Sequence, residues 1–193
     1  SRGVAAPPDL QESINFGPVE VPSSPYFTEG HGAVHFAPNL YPERLAGFTE
    51  ATRRYYRAME ELAATIMRIF ARGLGLPDGF FDDKIDRHVS SLRYVNYPHH
   101  PDAPSEGQLR AGAHTDYGSL TILRIEDAPG GLQVQDRGGR WVDVPVIPGS
   151  LVVNIGDLMA QWTNDRWVST MHRVVNPPRE RARDSRRISL VFF

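Results

Sequence analysis

The sequence predicts a mainly β fold with flanking helices, of sandwich, barrel or jelly-roll type. Three observations carry that prediction. From residue 88 onward, seven short runs rich in β-branched and aromatic residues are separated by Gly and Pro turn signals. Before them lies a single long stretch of helical periodicity. Before that, residues 1–42 are dense in Pro and Gly and show little period of any kind.

Taken in order, residues 1–42 read as an irregular N-terminal wrapping segment, with a short strand or turn near Ile14–Phe16. Pro42 suits the first turn of a helix. Leu45, Phe48, Thr52, Tyr55, Met59, Leu62, Ile66 and Phe70 then recur at spacings of three and four, one apolar stripe of a helix over 43–73 that Gly73 and Gly75 end. Such a stripe packs against a sheet more often than against a partner helix. A short helix is expected near Asp78–Lys84.

Strands are expected at His88–Tyr97, His114–Ile125, Gly131–Gln135, Trp141–Val144, Leu151–Ile155, His172–Val175 and Arg187–Phe193. The turns between them are marked by Ala128-Pro129-Gly130-Gly131, Arg137-Gly138-Gly139, Pro148-Gly149 and Pro177-Pro178. Gln135–Trp141 reads as a hairpin around Gly-Gly. Arg179–Arg187 reads as a solvated charged loop.

Composition removes several functions. A net charge of −2 offers no basic field for nucleic acid or an anionic membrane. No apolar run reaches the roughly 18 residues of a membrane-spanning helix. Ser1–Asp9 lacks the apolar core of a signal peptide, so cytoplasm is the expected compartment. Cysteine is absent, which leaves only nitrogen and oxygen for any metal.

That restriction makes His114-Thr115-Asp116, with His172 far downstream, the most informative feature. Residues i and i+2 of an extended strand face one side, so His114 and Asp116 can point together if the strand continues that far. His172 opens a strand that a sheet fold can place beside them. Two imidazoles and a carboxylate suit non-haem Fe(II) and leave positions open. Spacing alone leaves bland readings open: a turn-capping His114, a turn-initiating Asp116, a half-buried His172. His31, His35, His88, His99 and His100 have no comparable partners. Arg187-Ile188-Ser189 strengthens the metal reading. Its arginine fork and hydroxyl share a strand face and suit one carboxylate.

Here the residues carry a resemblance. Ala113-His114-Thr115-Asp116-Tyr117-Gly118-Ser119-Leu120-Thr121-Ile122-Leu123 resembles the first metal motif of the Fe(II)/2-oxoglutarate-dependent oxygenases, in the isopenicillin N synthase-like branch. Asn164–Val174 is similar to the second motif, and Arg187-x-Ser189 to the co-substrate carboxylate pair. Val153-Asn154-Ile155-Gly156-Asp157 and Arg93-Tyr94-Val95-Asn96-Tyr97-Pro98 also fit, in the expected order.

The resemblance implies a double-stranded β-helix, or jelly roll, with its core at 88–193, inside an oxygenase domain over 43–193 that includes the long packing helix. It implies Fe(II) held by His114, Asp116 and His172 as the catalytic and metal residues. It implies 2-oxoglutarate as co-substrate, its far carboxylate on Arg187 and Ser189, with Tyr97, Thr121 and Leu123 lining the pocket. Strand parity from Tyr97 makes Arg93 a candidate contact for an anionic substrate. Asn154 and Asp157 read as supports that orient the ligands.

The implied reaction couples oxidative decarboxylation of 2-oxoglutarate, giving succinate and CO2, to O2-dependent hydroxylation, desaturation or cyclisation of a small molecule. Ascorbate is the expected activator in vitro, and activity is expected to fall in acid as the imidazoles take up protons. A monomer or weak homo-oligomer is expected. Two alternatives are an isopenicillin N synthase-like oxidase that does not use 2-oxoglutarate and a non-catalytic jelly-roll module that binds a ligand. Relatives of this branch extend beyond both ends of this sequence, so terminal family segments are expected to be missing from it.

Overall fold

The computed structural model describes residues 7–99 and 103–193. His100, set aside above as lacking a partner, lies outside them, as does the start of the segment over 1–42. The chain divides into two compact units. One takes in the described residues up to Ile14, then Arg93–Val191 and Phe193; the other takes in Asn15–Leu92 and Phe192.

The helical unit holds α1 (Pro25–Thr28), α2 (Gly30–His35) and the 26-residue α3 (Phe48–Gly73). The N-terminal segment is therefore less irregular than its Pro and Gly content predicts. It contains two short helices and a strand, β1 (Glu12–Phe16). Helix α3 begins at Phe48 rather than at residue 43, because Gly47 adopts φ +75° and breaks the helical path there. It ends as predicted. Gly75 takes φ +74° and the Leu76 N–H donates to Ala71 O, closing the last turn.

The buried stripe of α3 is Thr52, Tyr56, Met59, Met67 and Ala71, turned from the predicted stripe; Tyr55, Ile66 and Phe70 are outside it and Leu45 is exposed. Tyr56 explains part of the turn. Its hydroxyl donates to Ser90 O at 3.0 Å and its ring meets Phe192 edge-on at 5.2 Å. Burial pushes its phenol well above the usual range, so it stays a neutral donor. A 3-10 turn at Asp82–Lys84 occupies part of the predicted short helix.

The β unit carries β2 (Leu92–Tyr97, its first residue in the other unit), β3 (Ala111–His114), β4 (Leu120–Ile125), β5 (Leu132–Gln135), β6 (Trp141–Asp143), β7 (Val152–Ile155), β8 (His172–Val174) and β9 (Arg187–Phe192). They form two sheets, ordered β1-β2-β9-β4-β7 and β3-β8-β5-β6. From β3 onward the chain passes repeatedly from one sheet to the other. That alternation produces the jelly roll, because most strands find partners far away in sequence and, among the described residues, only β5 and β6 pair as a hairpin of neighbours.

Two predicted strands were too long. Leu92–Tyr97 is all that forms of the strand expected from His88, and His114–Ile125 is two strands in different sheets. A helix that the sequence did not announce, α4 (Asp157–Trp162), follows β7. The charged loop after Pro178 contains a 3-10 turn at Arg179–Asp184.

Between the sheets lies the core of the β unit: Val95, Tyr97, Ala111, Leu132 and Val174 are buried, with Leu123, Val152 and Val191 packed against them. Residues 93, 95 and 97, then 121, 123 and 125, then 187, 189 and 191 all line one cavity of about 400 Å3. The period of two is the strand repeat, and it places every polar exception among them where chemistry can reach it.

Candidate metal centre

His114 and His172 face each other across the β3–β8 pair, with ring centroids 4.3 Å apart. Their meeting needs an irregularity. Ala111 pairs with Val174 and His114 with His172, so β3 spends one more residue than β8 over the same span. That is a β-bulge, which re-aims a side chain. Strict alternation from Ala111 would turn His114 away; the bulge returns it to the cavity that Ala111 also lines.

Each imidazole is oriented from behind. His114 Nδ1 lies 2.7 Å from Gly112 O, and His172 Nδ1 lies 3.0 Å from Thr170 O. A carbonyl only accepts, so Nδ1 carries the proton and the Nε2 lone pair is left facing inward. Asp116 Oδ1 sits 3.9 Å from His114 Nε2 and 3.6 Å from His172 Nε2, too long for hydrogen bonds. The three ligand atoms all lie within 4.8 Å of one another. Two unprotonated nitrogens and a carboxylate oxygen gathered so closely suit a divalent cation with nitrogen and oxygen preference.

Asp116 does not reach this position by strand parity, as the sequence suggested. β3 stops at His114, and Asp116 belongs to the crossing between sheets. What fixes it is β4, β7 and α4. Thr121 and Asn154 are register partners across β4 and β7. Both donate to the same carboxylate oxygen, Thr121 Oγ1 at 2.6 Å and Asn154 Nδ2 at 2.8 Å to Oδ2. Oδ2 is thereby occupied and Oδ1 is presented to the imidazoles.

The loop backbone is held by the start of α4, whose first N–H groups have no partner within the helix. Asp157 N–H donates to Asp116 O at 2.7 Å and Leu158 N–H to Tyr117 O at 3.2 Å. Asp157 also accepts from Thr115 Oγ1 at 3.3 Å. Thr121 thus lines the cavity as expected but also supports Asp116, and Asn154 and Asp157 touch the loop they were read as supporting.

Two predictions arise here. Thr121→Val keeps the shape and removes one donor to Asp116. Affinity for Fe(II) should fall about 10- to 100-fold with the melting temperature nearly unchanged, as metal titration and thermal unfolding would show. Gly156→Ala should be worse for the fold. A Cβ there would lie 2.2 Å from Gly118 O and 2.8 Å from Asp116 O, both backbone atoms. The loop must move, so a loss of about 1–3 kcal/mol in denaturant unfolding is expected together with weakened metal binding.

Arg187 is the second pole of the cavity. It is 1% exposed, yet among the described residues its Nε and one terminal nitrogen have no hydrogen-bond partner, and its other terminal nitrogen donates to Gly130 O at 3.2 Å. Burial pushes its pKa below the ordinary value, opposed by Tyr97, whose ring lies 5.0 Å away. A buried guanidinium with orphaned donors and no carboxylate is costly unless an anion completes it. Ser189 is 2% exposed and lines the same cavity two residues on. Of the other predicted residues, Tyr97 and Leu123 line this cavity, and Arg93 lines it beside Phe193, 5.4 Å from that ring.

Sequence reasoning missed Arg110. This residue is 2% exposed and donates to Pro129 O at 3.1 Å and to Ser185 O at 2.6 Å. It ties together the two segments that flank Arg187 and its acceptor Gly130. No sequence signal marked it: it precedes the metal motif by a few residues and reads as a surface arginine.

Comparison with known proteins agrees with this geometry. The family model of the 2OG-Fe(II) oxygenase superfamily matches residues 87–193, which include every residue of the centre and of the cavity's arginine pole. The chain is 37% identical over 178 residues to a 2-oxoglutarate-Fe(II) type oxidoreductase of Emericella nidulans, covering 90% of this chain and 50% of the relative. It is 34% identical over 195 residues to the validamycin A dioxygenase of Streptomyces hygroscopicus subsp. limoneus, covering 100% of this chain and 52% of the relative. It thus spans about half the length of these curated relatives. A full-length Neurospora crassa protein crystallised in complex with alpha-KG superposes with a TM-score of 0.81 at 35% identity, over 97% of this chain and 55% of that one. With the triad, the crossing strands and a match over more than half its length, the chain belongs to the 2OG-Fe(II) oxygenase superfamily.

Proposed function

We propose that this chain carries the catalytic core of an Fe(II)/2-oxoglutarate-dependent dioxygenase. It couples oxidative decarboxylation of 2-oxoglutarate, giving succinate and CO2, to O2-dependent oxidation of a small molecule. The observation that carries the proposal is the pairing of two poles in one cavity. The His114–Asp116–His172 cluster offers three ligands and Arg187 offers unmet donors to an anion. A 2-oxo diacid has one group for each pole. The Neurospora crassa relative, crystallised with alpha-KG, supports the same assignment.

In this mechanism His114, Asp116 and His172 would hold Fe(II), which when bound would supply the chemistry of O2 and the 2-oxo acid. The chain's own residues do the positioning. Arg187 and Ser189 fix the far carboxylate, and the Tyr97 ring beside Arg187 shields it from water. Thr121 and Asn154 occupy Oδ2 of Asp116 and leave Oδ1 toward the imidazoles. The apolar wall of Val95, Leu123, Val152 and Val191 excludes water from the reacting end. Arg93, beside Phe193, contacts an anionic group of the substrate. Five ordered motifs favour the isopenicillin N synthase-like branch.

Succinate formation tests the proposal. The protein with Fe(II), ascorbate and 2-oxoglutarate should release succinate and consume O2. Neither should occur when 2-oxoglutarate is replaced by a monocarboxylic 2-oxo acid that leaves Arg187 unpaired. Oxygen consumption that ignores 2-oxoglutarate would favour the oxidase alternative.

A further inference from the structure

Among the described residues, a second cavity of about 310 Å3 is lined by none of the residues that line the first. Its cationic lining is Arg110, Arg179 and Arg183, with His99 beside them. Among the described residues no acidic side chain lines it; Glu180 and Asp184 of the same 3-10 turn do not. Arg110 is 2% exposed, and the oxygens it donates to are neutral: Pro129 O, Ser185 O and Ser185 Oγ at 3.0 Å. His99 Nδ1 is buried and, among the described residues, has no hydrogen-bond partner.

We propose that this cavity is a binding site for a phosphate-type oxyanion, free or carried on a small metabolite. The reason is electrostatic. A guanidinium taken out of water without a counter-ion is held at a free-energy cost that an anion offsets. Arg110 bears that cost twice, because burial lowers its pKa and the like charge of Arg187 lowers it further. Arg179 and Arg183 are exposed and supply forks that suit phosphate oxygens. The orphaned His99 nitrogen adds a fourth polar contact. The buried Arg110 supplies a fixed cation at the base and the exposed pair supplies mobile ones at the rim. That combination admits an anion from solvent and retains it. This site is independent of 2-oxoglutarate use, since the two cavities share no lining residue among the described residues.

Calorimetric titration tests it, using the whole chain in phosphate-free buffer with inorganic phosphate and glycerol phosphate as separate probes. Saturable binding of one phosphate is expected. Arg179→Ala and Arg183→Ala should each raise Kd about tenfold, the effect of one charge-assisted contact. Arg181→Ala removes an exposed arginine of the same turn that does not line the cavity, and should leave Kd unchanged. Equal affinity for both probes assigns the site to the free ion; tighter glycerol phosphate assigns it to a carried phosphate. All three arginines are exposed, so matching melting temperatures will show that the variants fold. The proposal is overturned if phosphate does not bind saturably, if Arg179→Ala and Arg183→Ala bind as the parent does, or if Arg181→Ala weakens binding equally. Displacement of phosphate by 2-oxoglutarate would overturn it as well, by placing the anion at Arg187.

Discussion

Replacing Arg187 with Ala should raise Kd for 2-oxoglutarate by about 100- to 1000-fold while leaving Fe(II) affinity nearly unchanged. The size follows from the chemistry of a buried carboxylate that loses its guanidinium. Truncating one partner of a desolvated charge pair costs about 2–5 kcal/mol, and each 1.4 kcal/mol is tenfold in binding. The separation from metal binding follows from position: Arg187 contacts Gly130 and Tyr97, not the triad.

Thermal unfolding adds a second, opposite sign. Without co-substrate, Arg187 is a buried cation with orphaned donors, so Arg187→Met should melt at or above the parent temperature. With saturating 2-oxoglutarate and metal the order reverses, because both gain from the metal but the parent gains more from 2-oxoglutarate. A variant that melted lower in both conditions would mark Arg187 as structural.

Asp116→Ala should remove metal binding, with Fe(II) affinity reduced by more than about 1000-fold, beyond the 10- to 100-fold range of a supporting partner. The carboxylate is the single anionic group of the cluster, and a divalent cation held by two neutral imidazoles lacks the charge that opposes its own desolvation. Asp116→Asn is expected to fail nearly as badly. The Thr121 hydroxyl can turn to accept a hydrogen bond, but the amide nitrogen of Asn154 only donates. The new amide must therefore turn its oxygen to Asn154, which directs its NH2 group at the metal position. Metal titration checks both variants, and circular dichroism confirms that the folds are kept.

Much of this site is legible in the sequence for a physical reason. Arg187 and Ser189 are polar groups at buried positions of an apolar strand pattern, and a polar group at a core position needs an explanation, while His114, Asp116 and His172 are residue types that ligate metals. The period of two also carries over directly: 187 and 189 share a face, as do 93, 95 and 97. What stayed hidden is whatever depends on long-range pairing. A bulge adds one residue to β3 relative to β8, and nothing in Ala111-Gly112-Ala113-His114 shows the partner strand. Strand parity fails for Asp116 because the strand ends two residues early, and the loop is fixed by α4, which follows a strand of the same sheet as β4. The stripe of α3 was misplaced because Tyr55, Tyr56, Ile66 and Met67 are adjacent apolar residues. Which of each pair turns inward is decided by partners such as Ser90 and Phe192.

The central claim is that one cavity holds a metal at the triad and a carboxylate at Arg187, bridged by a single molecule. Visible absorption under anaerobic conditions tests it most directly. Fe(II) and 2-oxoglutarate together should give a charge-transfer band that neither gives alone. The band should be absent in His172→Ala, and in Arg187→Ala it should require about 100-fold more 2-oxoglutarate. A band of the parent's intensity in His172→Ala, at the parent's concentrations, would contradict the account.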